Sequence, residues 1–379
     1  MAVPNDIRQI NRRQILLSSL KLGATTRSAL ARATGLSQPT AGKIVDELEA
    51  EGVLKSYTPS EAAILRPGRP GQTLRLDDSS PRFLAIQLGV MNTRLATLSV
   101  APPTHDEWAV TIKTPASLGK WLTAVKAAAA PLLAGKPAAI LVSVPGVLDE
   151  STGKSLLSPN IRWLEGQNIG ALLEDAFGLP VHAVQEIRCL VLGQRAVVPE
   201  DESFLLVDFG HGIGSAAMLR GELLHGQLPL TGEIGHTPAP GHHLPCGCGG
   251  HGCVETVVGR QHMLQALGFD ESSPGDAEDA FAEIPDKLPK AFREALEIAG
   301  LAIAGSLNML GLAHVVVTGY ASTLPEHAFD VLRQQIQTAA VAGRFGEVKT
   351  IQARRHRLAG LAIVGIDRVL APSPTTRFG

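Results

Sequence analysis

Gly232-Glu233-Ile234-Gly235-His236, followed ten residues later by Cys246-Gly-Cys248-Gly-Gly-His-Gly-Cys253-Val-Glu255, is the stretch around which this chain is organised. It concentrates one histidine, three cysteines and two carboxylates in a glycine-rich run. Neutral imidazole and thiolate are the ligands tetrahedral Zn²⁺ prefers, and three Cys plus one His make a closed, structural set. His236, Cys246, Cys248 and Cys253 are therefore the expected metal ligands. The intervening glycines let the backbone fold tightly enough for nearby sulfurs to converge on one ion. Unrelated thiols or disulfide partners are the alternative, but four ligands in so short a window favour zinc. Glu233 and Glu255 bracket the cluster, so a metal-stapled loop would hold two carboxylates in fixed positions.

At 379 residues the chain is too long for one ordinary core, and about two or three domains are expected. Residues 1–75 carry 11 Lys+Arg against 6 Asp+Glu, while the remainder carries 23 against 30. A basic head on an acidic body points to a polyanion partner for the head alone. The N-terminus has no apolar run before a small-residue cleavage site, which predicts a cytoplasmic protein and favours metal over disulfides. Ile298 to Pro325 lacks Asp, Glu, Lys and Arg and is long enough to span a bilayer. Ser306, Asn308 and His314 interrupt it, however, and Gly311 divides a helical half from the β-branched run His314–Thr318. A buried helix leading into a buried strand, with no membrane partner, explains it better.

Residues 10–57 read as a helix-turn-helix with a wing. Ile10, Ile15, Leu16 and Leu20 mark one helix face, Thr26 caps a second helix with Leu30 and Ala33 inward, and Ser37 caps a third. Two alternating strands then flank a loop containing Arg66-Pro-Gly-Arg69. The third helix would enter a major groove, so Ser37, Gln38, Thr40 and Lys43 are the expected base-edge and backbone contacts, with Arg66 and Arg69 reaching a minor groove or phosphates. Beyond Phe83, two stretches share one opening: Phe83–Gly89 and Phe204–Gly214 each run as a strand into a glycine turn and a second strand. That predicts an internally duplicated α/β fold.

The winged head, the Gly-Arg-Pro linker, Ser158-Pro-Asn160, Asp208–Gly214, Gly232–His236 and Cys246–Glu255 occur in an order that resembles the ROK family of repressors, unknown reading frames and sugar kinases. The resemblance covers essentially the whole chain and is to the transcription-factor branch, which includes xylose and N-acetylglucosamine repressors. It implies a winged helix-turn-helix at 1–78 followed by a two-lobed actin-like ATPase (ribonuclease H-like) domain. The first lobe would cover 79–184, joined by a C-terminal helix within 358–379, and the second 185–357. It also implies a homodimer or a tetramer, and sugar bound between the lobes by Asn160, Glu233, His236 and Glu255.

Several positions depart from the kinase pattern. Gln87 stands where kinase members carry an Asp on the first strand, Val90-Met91-Asn92 replaces a Gly-Thr turn, and Gln185-Glu186 aligns with an Asn-Asp pair whose Asp is the general base. One extra methylene moves a carboxylate by about 1 Å, enough to cost roughly 10²-fold where positioning is tight. The chain is thus expected to be a cytoplasmic, sugar-responsive regulator of carbohydrate genes that binds double-stranded operator DNA and is not an enzyme. Gln185 and the residual base position Glu186 remain as sugar contacts. A sugar kinase carrying a DNA-binding head is the alternative, as is a regulator answering a protein partner or a sugar phosphate.

Overall fold

The computed structural model describes residues 4–57, 72–226, 229–269 and 279–372. Arg66 and Arg69 lie outside them. The head consists of α1 (Pro4–Leu22), α2 (Arg27–Thr34), α3 (Gln38–Ala50) and a hairpin of β1 (Leu54–Tyr57) and β2 (Thr73–Leu76) in antiparallel register from Leu54↔Leu76 to Tyr57↔Thr73. The expected caps form: the Thr26 hydroxyl accepts the amide of Ala29 at 3.2 Å, and Ser37 that of Thr40 at 3.3 Å. These bonds satisfy amides that the first helical turn leaves without partners.

Two inward assignments fail. Ile10 is exposed and Leu20 half-buried, whereas Ile15 and Leu16 are buried beside Arg12 and Ser19. Ala33 is exposed, and Ala31 joins Leu30 inside. Apolar residues alone do not fix the phase of a helix as short as the eight-residue α2. For α1 the phase is set by a second contact, because Arg12 and Arg13 face the body of the protein.

The body repeats one topology twice. The first half runs β3 (Phe83–Leu88), β4 (Asn92–Leu98), β5 (Val110–Lys113), α4 (Leu118–Ala129), β6 (Ala139–Val144), β7 (Val147–Asp149), β8 (Lys154–Leu157), α5 (Ile169–Phe177), β9 (Val181–Gln185) and α6 (Glu186–Val197). The second half runs β10 (Phe204–Phe209), β11 (Ile213–Leu219), β12 (Glu222–Leu223), α7 (Glu255–Val258), α8 (Arg260–Ala266), α9 (Lys290–Leu310), β13 (His314–Gly319), α10 (Glu326–Ala339), β14 (Lys349–Gln352) and α11 (Arg357–Gly365). Their sheets are ordered β5-β4-β3-β6-β9 and β12-β11-β10-β13-β14. In each, an antiparallel meander gives way to two parallel pairings. The expected internal duplication is therefore present. β3 and β6 are buried at every position, the signature of strands covered on both faces.

The apolar 298–325 run resolves as expected into α9 and β13, separated at Gly311 in the left-handed region (φ 66°). Among the described residues no helix is long and apolar enough to cross a membrane. α4 stops at Ala129, with a 3₁₀ turn at Leu132–Gly135 after Pro131. α6 starts at Glu186, straight out of β9. The last helix ends as α11 at Gly365 and continues as one π turn, Ile366–Leu370.

α6 and α11 cross between the two sheets. α6 sends Ile187, Leu190 and Val191 toward Phe204, Leu206 and Met218 of the second half, and Cys189 toward Leu358 and Leu361 of α11. Cys189 packs as a buried apolar residue, its thiol donating to the Arg357 carbonyl at 3.3 Å. The crossing is close enough that a Cβ on Gly360 would overlap the Cys189 carbonyl oxygen, and one on Gly193 that of His356. The head core is continuous with this region: Leu16, Leu74 and Leu76 belong to the same buried cluster as Phe83, Val100 and Leu370. Arg12 donates to the Leu370 carbonyl at 2.7 Å, and Arg13 pairs with Asp367 at 2.7 Å.

Gly360→Ala forces the two helices apart, and overpacking of this kind costs about 1–3 kcal/mol. Scanning calorimetry should show a lower Tm for this variant, and an unchanged Tm would mean the crossing is not sterically closed.

Candidate functional site: a metal loop and an interlobe cleft

Between β12 and α7 the described residues form no helix or strand beyond a 3₁₀ turn at Ile234–His236. It is anchored by Gly232, whose φ of 94° and approach to β11, where a Cβ would overlap the Ser215 carbonyl, admit only glycine. The cysteine stretch then doubles back, with Cys246 N donating to the Gly250 carbonyl at 2.8 Å and Gly249 N to the Cys246 carbonyl at 3.0 Å. The donor atoms of His236, Cys246, Cys248 and Cys253 all lie within 4.8 Å of one another. Cys246 Sγ is 3.5 Å from His236 Nδ1, and Cys248 Sγ is 3.8 Å from Cys253 Sγ. An ion bonded tetrahedrally at about 2.3 Å to sulfur and about 2.0 Å to nitrogen separates its ligands by roughly 3.5–3.8 Å. The four residues can hold a metal ion. Burial and the neighbouring thiols push the Cys253 thiol up to about 12, a cost that a bound cation reverses by stabilising thiolate. His242, His243 and His251 stand outside this cluster.

The other ring nitrogen of His236, Nε2, lies 3.7 Å from Glu233 Oε2. Glu233 in turn receives the Gln185 side-chain amide at 3.5 Å. Burial raises the Glu233 carboxyl, as does the like charge of Glu255, while His236 and Gln185 act against them. Glu255, at the start of α7, accepts the Ile213 amide at 3.1 Å. These groups, with Asn160 exposed at the mouth, line a cavity of about 970 Å³ between the two sheets.

The far end of that cavity has a different character. Arg94, Arg260, Arg354, Arg355 and Arg357 line it together with Asp106, Glu186 and Asp208. Arg355 Nε lies 2.6 Å from Asp208 Oδ1 and its Nη2 3.0 Å from Oδ2, a bidentate fork. Arg357 Nε lies 2.7 Å from Glu186 Oε1. The Asp106 carboxylate accepts the amides of Arg357 and Leu358 at 3.0 and 2.9 Å, capping α11. Gln87 is buried and accepts from Arg94 at 3.4 Å. Gly89 N closes its own turn onto the Asn92 carbonyl at 3.0 Å.

A profile of the ROK family matches residues 84–363. The chain belongs to the ROK family. A xylose repressor from Caldicellulosiruptor bescii is 23% identical over 97% of this chain and 98% of its own length. A glucokinase from Halalkalibacterium halodurans is 25% identical over 68% of this chain and 86% of its own. Among solved structures, a ROK family transcriptional regulator described as a homologue of E. coli MLC superposes with a TM-score of 0.75 at 21% identity, covering 97% of both chains. A ROK glucokinase from Streptomyces griseus, in complex with glucose and AMPPNP, superposes at 0.63 and 19% identity over 74% of this chain and 98% of that one.

In this ROK chain the six residues expected to touch sugar, Asn160, Gln185, Glu186, Glu233, His236 and Glu255, all line the one cavity. Glu186 differs from the rest, since Arg357 holds its carboxylate. At the head, Ser37, Gln38, Thr40 and Lys43 are all exposed at the start of α3, with the Ser37 and Thr40 hydroxyls bonded to each other at 2.8 Å. Sequence reasoning missed the role of Arg355 and of Asp106. The run Arg354–Arg357 reads as the basic start of a helix, and only Arg357 is in one. The available signal was electrostatic: Asp208 and Glu186, placed beside glycine turns and strand ends, each needed a cation.

Two outcomes are expected. Metal analysis of the purified chain should find about one divalent ion per chain at this four-ligand set. Cys248→Ser should lose it and melt at lower temperature; a metal-free wild type would refute the assignment. The second concerns acid. Burial raises the Asp208 carboxyl, but the Arg355 guanidinium and the Thr318 hydroxyl outweigh it, so the group sits below its ordinary value. The stability this pairing gives is complete above the ordinary carboxylate range and is lost as pH falls through the lowered folded value. Asp208→Asn should therefore flatten the acid limb of a Tm-against-pH curve, and a parallel shift at all pH values would contradict it.

Proposed function

We propose that this chain is a sugar-responsive, DNA-binding transcriptional regulator of carbohydrate genes, a repressor, without phosphoryl-transfer activity. The observation that carries the reading is a head with the exposed polar start of α3, docked on a body whose cleft carries groups that suit a polyol. Carboxylates and carboxamides offer the bidentate hydrogen bonding that vicinal hydroxyls need. The xylose repressor matches over head and body alike, whereas the glucokinase match spans 68% of this chain, which supports the same reading.

In this reading Asn160, Gln185, Glu233, His236 and Glu255 contact the sugar. The donor set of three thiols and one imidazole fits zinc, and its filled coordination sphere leaves no place for substrate. The ion is structural, and it aims Glu233, His236 and Glu255 before sugar arrives, which lowers the ordering cost of binding. Ser37, Gln38, Thr40 and Lys43 face the major groove, with Arg66 and Arg69 supplying wing contacts. A homodimer would set two heads on successive major-groove faces of a pseudo-palindromic operator. A sugar that binds one lobe arrangement more tightly by a few kcal/mol suffices to switch it.

The test is operator binding by the full-length protein with and without a panel of free sugars. One sugar should change operator affinity by about tenfold or more. Glu255→Ala should abolish that response while leaving operator affinity without sugar unchanged. No response to any sugar would sink the sensing part of the reading. The glucokinase relative keeps a second reading in view, a sugar kinase carrying a DNA-binding head, which ATP-dependent phosphorylation of a hexose, lost in Glu186→Ala, would promote.

A further inference from the structure

β10 and β13 run parallel side by side, with Asp208 opposite Thr318 and Phe209 opposite Gly319. In open α/β sheets, ligands collect in the crevice beyond the carboxyl ends of such strands. The walls here are bare at Gly210 and Gly319, and the Asp208 carboxylate lies at the floor. A carboxylate in a crevice walled by glycines is chemistry suited to a divalent cation carrying phosphate oxygens.

The crevice is filled from within the chain. Besides its fork onto Asp208, Arg355 Nη2 donates to the Phe209 carbonyl at 3.3 Å. The same nitrogen lies 3.1 Å from where a Cβ on Gly210 would stand and 2.7 Å from the equivalent point on Gly319. The Thr318 hydroxyl adds a bond to Asp208 Oδ1 at 2.7 Å. The carboxylate is thereby occupied, and the space above both glycines is taken by a guanidinium.

The segment that carries Arg355 is braced on both sides. Upstream, Gln352 Nε2 donates to the carbonyls of Ala321 and Leu324 at 3.0 and 2.9 Å, and Ala353 N to that of Val317 at 2.9 Å. Downstream, Arg357 is held by Glu186 and the Asp106 cap. These contacts fix the backbone from which Arg355 projects toward Asp208.

We infer that Arg355 is a resident occupant of this crevice and excludes a metal-bound nucleoside triphosphate from the cleft. This deepens the proposed function and rests on it, naming the residue that keeps the cleft for a ligand without a nucleotide beside it. Arg355 supplies one permanent positive charge where a nucleotide complex would bring a divalent ion, and it engages both oxygens of Asp208.

The test is titration of full-length wild type, Arg355→Ser and the double variant Arg355→Ser/Asp208→Asn with a fluorescent ATP analogue, with and without Mg²⁺. Near-ultraviolet circular dichroism monitors folding. Wild type should show no saturable binding. Arg355→Ser should bind at least about tenfold more tightly than wild type and only with Mg²⁺. The double variant, which buries no uncompensated carboxylate, should bind independently of Mg²⁺. Wild-type binding equal to that of Arg355→Ser overturns the inference. If Arg355→Ser does not fold, the double variant decides, and its failure to bind overturns it equally. The wild-type operator response to sugar is read separately, so loss of the regulator reading and loss of nucleotide exclusion give different results.

Discussion

The crossing of α6 and α11 is the constraint on which the rest of the structure depends. Both helices are buried between two sheets of identical topology, and two glycines let their backbones approach. At one end of the pair stand Gln185 and Glu186, Arg357 and the Asp106 cap. At the other, Asp367 and the Leu370 carbonyl receive Arg13 and Arg12 of the head. α11 and its π turn thus touch the cleft and the head at opposite ends. A packed helix with fixed partners at both ends moves as a unit, which gives the cleft and the head a common mechanical element.

The cleft is chemically divided. Its metal-loop end presents carboxylates, an imidazole and carboxamides, a set that accepts and donates hydrogen bonds without strong net positive charge. Its strand-end half is arginine-rich, with every acid there engaged by a cation or a helix terminus. Low dielectric in such a cleft strengthens each of these pairs and makes an uncompensated member costly. This explains why Glu186, which looks like a vacant catalytic base in the linear sequence, sits in an ion pair.

Much of this was legible in the sequence because it is encoded locally. Three cysteines and a histidine within a short glycine-rich window fix a ligand set, β-branched runs fix buried strands, and Ser37 and Thr26 fix helix starts. What was illegible depends on partners far apart in the chain. Arg355 and Asp208 are separated by 147 residues, and no periodicity links them. The phase error at Ile10 in α1 has the same origin. The face a head helix buries is set partly by what it docks against, and that surface lies at the other end of the chain.

The bond from Arg12 to the Leu370 carbonyl spans 358 residues. The head's three helices and hairpin draw on neighbours close in sequence and form early, while docking needs a segment 358 residues downstream of Arg12. Closing so long a loop carries an entropic cost that local contacts do not. During synthesis the head is therefore complete, and chemically able to meet its partner, well before it is tethered to the body. The seam between head and body closes only when that distant turn arrives, which makes the seam a late step of assembly and the natural place for the molecule to come apart first.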